Sequence, residues 1–220
     1  MSIWDFEKDI VLKTAQHMAQ NGLVVGTSGN VSMRLNERDG KELLAITPSG
    51  RNYDTLQRDD IVIVSFDGER IEGKFNASIE TTMHIEIYKS RRNINAIIHT
   101  HSVYGSAVSV AGLDIPPILD DQVIYLGGEI KVTEYAPTGS DELTRNVISA
   151  LGPRNAVILA NHGTLGIGRD IDEAFTNCER LEHIAKIYIQ ALGIGKINLL
   201  SETALEVDVA HFNILYGEQR

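Results

Sequence analysis

The sequence predicts an α/β fold in which helices cover a largely antiparallel sheet. Three observations lead there. Short runs of strand character follow one another across turns suited to hairpins, and helical stretches lie between them. The regular strand–helix–strand alternation that builds a parallel sheet is not seen.

Residues 3–20 place Ile3, Phe6, Ile10, Val11, Thr14 and Met18 at three- and four-residue steps, the spacing of an amphipathic helix. Asn21-Gly22 ends it, since glycine tolerates the left-handed residue that closes a helix. Strand character follows at Val31–Leu35, Leu43–Thr47, Ile61–Ser65 and Ala96–Thr100. Asp39-Gly40 and Asp67-Gly68 punctuate these runs, and Asp-Gly is a strong hairpin signal. Helices are expected over 79–91, roughly 102–111 and 140–150. Within 156–167, two apolar runs flank Asn161-His162-Gly163 and predict two strands around a tight turn. From Asp170 to Leu192, one stripe of Ile171, Ala174, Phe175, Cys178, Leu181, Ile184, Ala185 and Tyr188 predicts the longest helix.

Length and composition narrow the function classes. At 220 residues and 43% hydrophobic content, with no linker-like segment on which to cut, a single domain over 1–220 is expected. The 20 basic and 30 acidic side chains leave a formal charge of −10. That balance argues against a nucleic-acid partner, which needs a basic face, and against attachment to an anionic membrane. The one cysteine, Cys178, leaves no intramolecular disulfide and reads as a small apolar residue on a helix. The N-terminus lacks the basic-then-apolar pattern of a signal peptide, and the longest apolar runs fall far short of the roughly 20 residues of a membrane span. A cytoplasmic protein is the expectation.

Of seven histidines, His99 and His101 stand out. One residue apart in a strand, they project from the same face and could share a metal or form a hydrogen-bonded pair near a strand end. His162, at the turn leaving an apolar strand, has the setting of a third ligand, with Gly163 allowing a sharp turn and room beside the ring. Three neutral nitrogens with an open fourth position make a catalytic zinc arrangement rather than a closed structural one. His17, His183 and His211 read as structural. Glu80 and His84 share a helix face at i,i+4, but Glu80-Thr-Thr-Met-His84 is not His-Glu-x-x-His, so metalloprotease chemistry is excluded.

Three small polar loops complete the inventory: Gly26-Thr-Ser-Gly-Asn-Val-Ser32, Thr47-Pro-Ser-Gly50 and Asn76-Ala-Ser78. Each offers backbone N–H groups and hydroxyl or amide donors. Folded against one another they would hold a phosphate without any lysine; taken singly, each could equally be a surface turn.

Taken in order, Gly26-Thr-Ser-Gly-Asn-Val-Ser32, Ile46-Thr-Pro-Ser-Gly50, Ala77-Ser-Ile-Glu80, His99-Thr-His101 and Asn161-His-Gly163 resemble the class II aldolase/adducin family, its fuculose-phosphate aldolase members above all. The resemblance spans about residues 5–192. It implies a three-layer α/β/α domain with a central, mainly antiparallel sheet, assembled as a homotetramer with active sites between subunits. It implies one divalent ion per subunit on His99, His101 and His162, zinc first, with manganese or cobalt also accepted by such nitrogens. Glu80 becomes the catalytic acid/base. Asn30, Ser49, Gly50 and Ser78 become the phosphate site, with Thr27, Ser28, Gly29 and Thr47 shaping its loops. The implied reaction is metal-dependent cleavage of a ketose 1-phosphate, either fuculose 1-phosphate or a 5-deoxy- or 5-methylthio-pentulose 1-phosphate, to dihydroxyacetone phosphate and an aldehyde.

Two departures bear on the substrate. Ile79 stands where fuculose-phosphate aldolases tend to carry a second serine, removing one phosphate donor. In Ile115-Pro-Pro-Ile-Leu-Asp-Asp-Gln122 the tyrosine that those enzymes place after a similar stretch is missing; Asp120, Asp121 and Tyr125, or Tyr216 and His211 of the tail, are the remaining polar candidates. Both departures favour less hydroxylated sugars. Ribulose-5-phosphate 4-epimerase or methylthioribulose-1-phosphate dehydratase chemistry is the alternative on the same scaffold. A non-catalytic adducin-like domain is the alternative of another class, and such a domain would have little reason to keep all three histidines and Glu80.

Overall fold

Asp39 and Gly40 both adopt positive φ, 52° and 73°, forming the tight turn that matches strand twist and closes β1 (Asn30–Arg38) onto β2 (Lys41–Ile46). The computed structural model describes residues 2–217, so Met1 and 218–220 of the expected 1–220 unit lie outside the described residues. Gly68, at φ 83°, turns β3 (Val62–Ser65) into β4 (Arg70–Glu72). With β5 (Ala96–Thr100), β6 (Ala156–Leu159) and β7 (Gly163–Gly168), these strands form one seven-stranded sheet in the order β4-β3-β2-β1-β5-β7-β6. Every neighbouring pair is antiparallel. All five residues of β5 are buried, as their near-continuous apolar sequence requires of a strand covered on both faces.

Helices α1 (Asp5–Gln20) and α5 (Ile171–Ile194) cover one face, burying Val11, Ala15, Met18 and Phe175 against Val31, Ala45, Ile63 and Ile98. Helices α2 (Thr81–Ser90) and α4 (Asp141–Leu151) cover the other, with Ile87, Tyr88 and Val147 on Leu44, Val64, Ile97 and Leu165. Helix α3 (Val103–Ala111) packs beside α5, whose Glu182 carboxylate accepts the Tyr104 and Gly105 N–H groups at 2.9 and 2.8 Å and so caps the α3 N-terminus. The three-layer α/β/α expectation holds.

Glycine sets how closely α5 can approach the sheet. A Cβ on Gly166 would sit 2.7 Å from Cys178 Sγ, and one on Gly168 would sit 2.4 Å from the Ala174 nitrogen. Cys178 is fully buried there, and burial pushes its thiol up to about 12. It is the small apolar helix residue expected from sequence.

Besides the short β4, which no strand-like run announces, three features depart from the sequence expectation. Helix α2 begins at Thr81 rather than 79, with Glu80 as its N-cap. Gln122–Leu126 forms a single π turn. Helix α6 (Glu202–Tyr216) was not expected, because its apolar residues do not share one face: Ile214 is 79% exposed while Asp208 is buried. Among the described residues no helix is long and apolar enough to cross a membrane.

Candidate metal centre and adjoining pocket

Strand β5 delivers His99 to one end of the sheet, and His101 follows one residue past its end, outside the strand expected to hold both. The turn between β6 and β7 delivers His162. Their rings stand 4.7–4.9 Å apart, centroid to centroid, at steep mutual angles. One nitrogen from each can be chosen so that all three lie within 4.8 Å of one another. His99 Nε2 and His101 Nε2 are 2.9 Å apart. The fully buried His99 meets the Thr164 carbonyl through Nδ1 at 2.9 Å; a carbonyl only accepts, so Nδ1 carries the proton and Nε2 presents a lone pair to the site. Burial pushes each of the three imidazoles down to about 4, which keeps them neutral at neutral pH.

The turn carrying His162 is built from two special residues. Asn161 takes the left-handed conformation, at φ 54°, so the sharp turn expected at Gly163 falls two residues earlier. Gly163 instead supplies closeness: a Cβ there would sit 2.3 Å from the Thr100 carbonyl oxygen and 3.0 Å from His101 Cδ2. The His162 N–H is held by Ser109 Oγ at 3.0 Å, which ties the turn to α3.

Glu80 enters from the other direction, at the start of α2. Its carboxylate is buried, with Oε2 accepting from Asn30 Nδ2 at 2.7 Å. Oε2 lies 3.3 Å from His99 Nε2, and Oε1 lies 3.6 Å from His162 Nε2 with no hydrogen-bond partner among the described residues. A carboxylate and the His99 lone pair thus converge with Oε1 buried and unpartnered. Three nitrogens and an adjacent carboxylate are a donor set that fits a divalent cation, because a cation would satisfy these lone pairs at once.

The three polar loops meet beside this cluster around a cavity of about 250 Å³. Thr27, Ser28, Gly29, Asn30, Ser49, Gly50 and Ser78 line it together with Pro48, Ile79, Glu80, His101, His162 and Thr138. The loops are cross-tied: Ser49 N donates to the Asn76 carbonyl at 2.9 Å and Ser78 N to the Thr47 carbonyl at 3.2 Å. Gly29, at φ 74°, has no room for a Cβ, which would fall 2.6 Å from the His99 carbonyl oxygen. Among the described residues no lysine or arginine lines the cavity, so the donors found there are neutral.

Of the eight loop residues singled out from sequence, Thr47 alone does not line the cavity. It is fully buried, and its Oγ1 accepts the Val31 N–H at 3.2 Å, bracing the loop from behind. Thr138 was missed; in Pro137-Thr138-Gly139 nothing distinguishes it from an ordinary turn. Asp120, Asp121, Tyr125, His211 and Tyr216 do not line this cavity. Asp120, Asp121 and His211 are exposed, Tyr125 lies under the Arg180 guanidinium at 4.1 Å, and Tyr216 stacks with Arg169 at 5.0 Å. His17 stacks on Phe175 at 4.6 Å and His183 is exposed, in keeping with their structural reading.

Comparison with known proteins agrees with this geometry. The family described as "Class II Aldolase and Adducin N-terminal domain" matches residues 9–189. The chain is 35% identical over 213 residues to a 5-deoxy-D-ribulose 1-phosphate aldolase of Bacillus thuringiensis serovar kurstaki, covering 97% of this chain and 98% of that one. It is 33% identical to an L-fuculose phosphate aldolase of Escherichia coli K12, covering 94% of each. Among solved structures, an L-fuculose 1-phosphate aldolase superposes with a TM-score of 0.87 at 33% identity, covering 94% of this chain and 95% of that one.

Proposed function

Since this chain belongs to the class II aldolase and adducin family, we propose that it is a lyase cleaving a ketose 1-phosphate, with a 5-deoxy-pentulose 1-phosphate as substrate, to dihydroxyacetone phosphate and a short aldehyde. The convergence of His99, His101, His162 and Glu80 beside a neutral, hydroxyl-lined cavity carries this reading.

His99, His101 and His162 would hold one divalent cation, zinc in our reading, with manganese or cobalt as substitutes. Such an ion supplies Lewis acidity, drawing charge from the ketose carbonyl as the C3–C4 bond breaks. The remaining work falls to the chain. Ser49, Gly50, Ser78, Asn30 and the Thr27–Gly29 loop would bind the phosphate through N–H, amide and hydroxyl donors, fixing C1 to C3 relative to the triad. Net charge of −10 does not oppose this, because the donors are local and neutral. Asn30 anchors Oε2 of Glu80, leaving Oε1 free to take the C4 hydroxyl proton as the C3–C4 bond breaks and to deliver it to C3 of the dihydroxyacetone phosphate half. Ile79, 63% exposed at the cavity, presents an apolar side chain that suits a sugar with few hydroxyls.

We further propose a cytoplasmic homotetramer with sites between subunits. The exposed Val25, Ile79 and Val103, at 80%, 63% and 67%, support a subunit contact near the cavity.

Incubation of zinc-loaded protein with a panel of ketose 1-phosphates, with dihydroxyacetone phosphate followed through its enzymatic reduction, tests the activity. Its appearance from the 5-deoxy-pentulose is expected. A 4-epimer or a dehydrated product without dihydroxyacetone phosphate would overturn the assignment. Purified protein with no divalent metal and no response to added zinc would point instead to a non-catalytic scaffold.

A further inference from the structure

Beneath Glu80 runs a buried polar seam that the proposed reaction does not use directly. Along β1, Asn30, Ser32 and Arg34 alternate onto one face; along α2, Glu80, His84 and Tyr88 recur every fourth residue. A two-residue step on a strand rises about 6.7 Å and a four-residue step on a helix about 6 Å, so the two series stay matched over three rungs. The first rung is Asn30 Nδ2 to Glu80 Oε2 at 2.7 Å. The second is Ser32 Oγ with His84 Nδ1 at 2.7 Å and Tyr88 Oη at 2.9 Å. In the third, the Arg34 guanidinium donates to the Tyr88 carbonyl at 2.5 Å and lies 5.0 Å from the centre of its ring.

Ser32, His84 and Tyr88 are all fully buried. A histidine and a serine in an otherwise apolar layer cost desolvation free energy that leucine and alanine would not. Their hydrogen bonds can form in only one alignment of helix and strand, whereas apolar packing tolerates a slide. One ordering leaves no buried donor unpaired: His84 Nδ1 donates to Ser32 Oγ, Ser32 donates to Tyr88 Oη, and Tyr88 donates to the Asn95 carbonyl at 3.5 Å, with His84 Nε2 as the lone-pair nitrogen. The His84 N–H donates to the Glu80 carbonyl at 3.2 Å, so the second rung connects through one helical turn to the residue that carries the carboxylate.

We propose that Ser32, His84 and Tyr88 are positioning residues that set the register of α2 on β1 and thereby hold the Glu80 carboxylate at the histidine triad. This rests on the aldolase reading for its kinetic consequence but not for its structural one.

The decisive variant is Ser32→Ala. Misplacement of a catalytic group by about 1 Å costs on the order of 100-fold, so kcat should fall at least about tenfold while KM and zinc stoichiometry stay nearly unchanged. In a Glu80→Gln background the same substitution should add nothing further, since both act through one group. His84→Asn, whose amide keeps a hydrogen-bond partner for Ser32, should retain more kcat than His84→Leu. Should Ser32→Ala fail to fold, Tyr88→Phe removes one hydroxyl from the same hub and should show the same kcat-only loss, smaller in size. A lower Tm with unchanged kcat well below melting, or a rise in KM alone, would overturn the proposal. If the wild-type chain turns over no ketose 1-phosphate, the aldolase reading fails by itself, and a crystal structure of Ser32→Ala decides the positioning. A Glu80 carboxylate displaced from Asn30 supports it; the Asn30–Glu80 contact kept at hydrogen-bond distance overturns it.

Discussion

Asn30 and His99 are cross-strand partners in the β1–β5 ladder, and both reach the same oxygen of Glu80, at 2.7 Å from Asn30 Nδ2 and 3.3 Å from His99 Nε2. One contact is a donor and the other, from the tautomer of His99, is a lone pair. The carboxylate is therefore oriented by the strand that precedes the helix and charged with a task by the strand that follows it.

That arrangement makes Glu80→Gln a clean substitution. The Asn30 amide can rotate to present Oδ1, which has no partner among the described residues, to the new amide N–H, so the side chain keeps its place. Loss of acid–base function should lower kcat by roughly 10²–10⁴ while zinc content stays near that of the wild type. Near-native turnover would remove Glu80 from the mechanism.

Gly163 and Gly50 separate closeness from conformation. Gly163→Ala drives a methyl group into the Thr100 carbonyl at 2.3 Å, beside His101 and His99, and overpacking of this kind costs about 1–3 kcal/mol. We expect lower Tm together with weakened zinc binding. Gly50 has open space but φ of 65°, so Gly50→Ala should cost roughly 1–2 kcal/mol through backbone strain and leave zinc binding intact. Equal zinc affinity in the two variants would refute the packing argument.

The triad predicts an acid-sensitive apo-protein. His99, His101 and His162 are held near 4 by burial, below the ordinary value of about 6.5. The unfolded chain then binds more protons than the folded one between these values, so stability is complete above about pH 6.5 and lost as pH falls through about 4. Urea titrations of chelator-treated protein at pH 7, 6 and 5 should show it, above the range where most carboxylates titrate. Added zinc should raise stability at pH 7 and less so at pH 5, since a cation on the folded triad needs its imidazoles neutral. Denaturation midpoints that do not change over this range would contradict the burial of three neutral imidazoles.

Ile79 tests the substrate preference. Ile79→Ser returns a hydroxyl beside Ser78, and a hydrogen bond to a charged phosphate contributes about 1.5–3 kcal/mol, so KM for ketose 1-phosphates should fall tenfold or more. The gain should be greatest for sugars with a terminal hydroxyl, where the apolar side chain no longer intrudes. An unchanged KM would place the phosphate elsewhere.

Much of the fold was legible because it follows local periodicity. The three- and four-residue steps of α1 and α5, the Asp-Gly turns and the apolar run of β5 each dictate their own conformation. Helix α6 and strand β4 were not, because their side chains do not sort into a dry and a wet face: β4 is three residues long with two exposed, and α6 buries Asp208 while exposing Ile214. In the site, His99 and His101 could be paired from the two-residue repeat of a strand. Thr138 could not, since its place at the cavity depends on Gly139, where a Cβ would stand 3.3 Å from the Ile79 carbonyl oxygen.

The sequence by itself determined the kinds of groups available, their order, and the strand repeat that sets two imidazoles side by side; the family resemblance added the roles expected of them. Only the tertiary structure decided that Glu80 lies between Asn30 and His99, that Thr47 braces the pocket rather than lining it, and that the left-handed residue beside His162 is Asn161. The reason is physical. Alternation and helical period are properties of one segment, whereas these contacts depend on how strands register and how a helix docks. Those are settled by burial and hydrogen bonding between segments far apart in the chain.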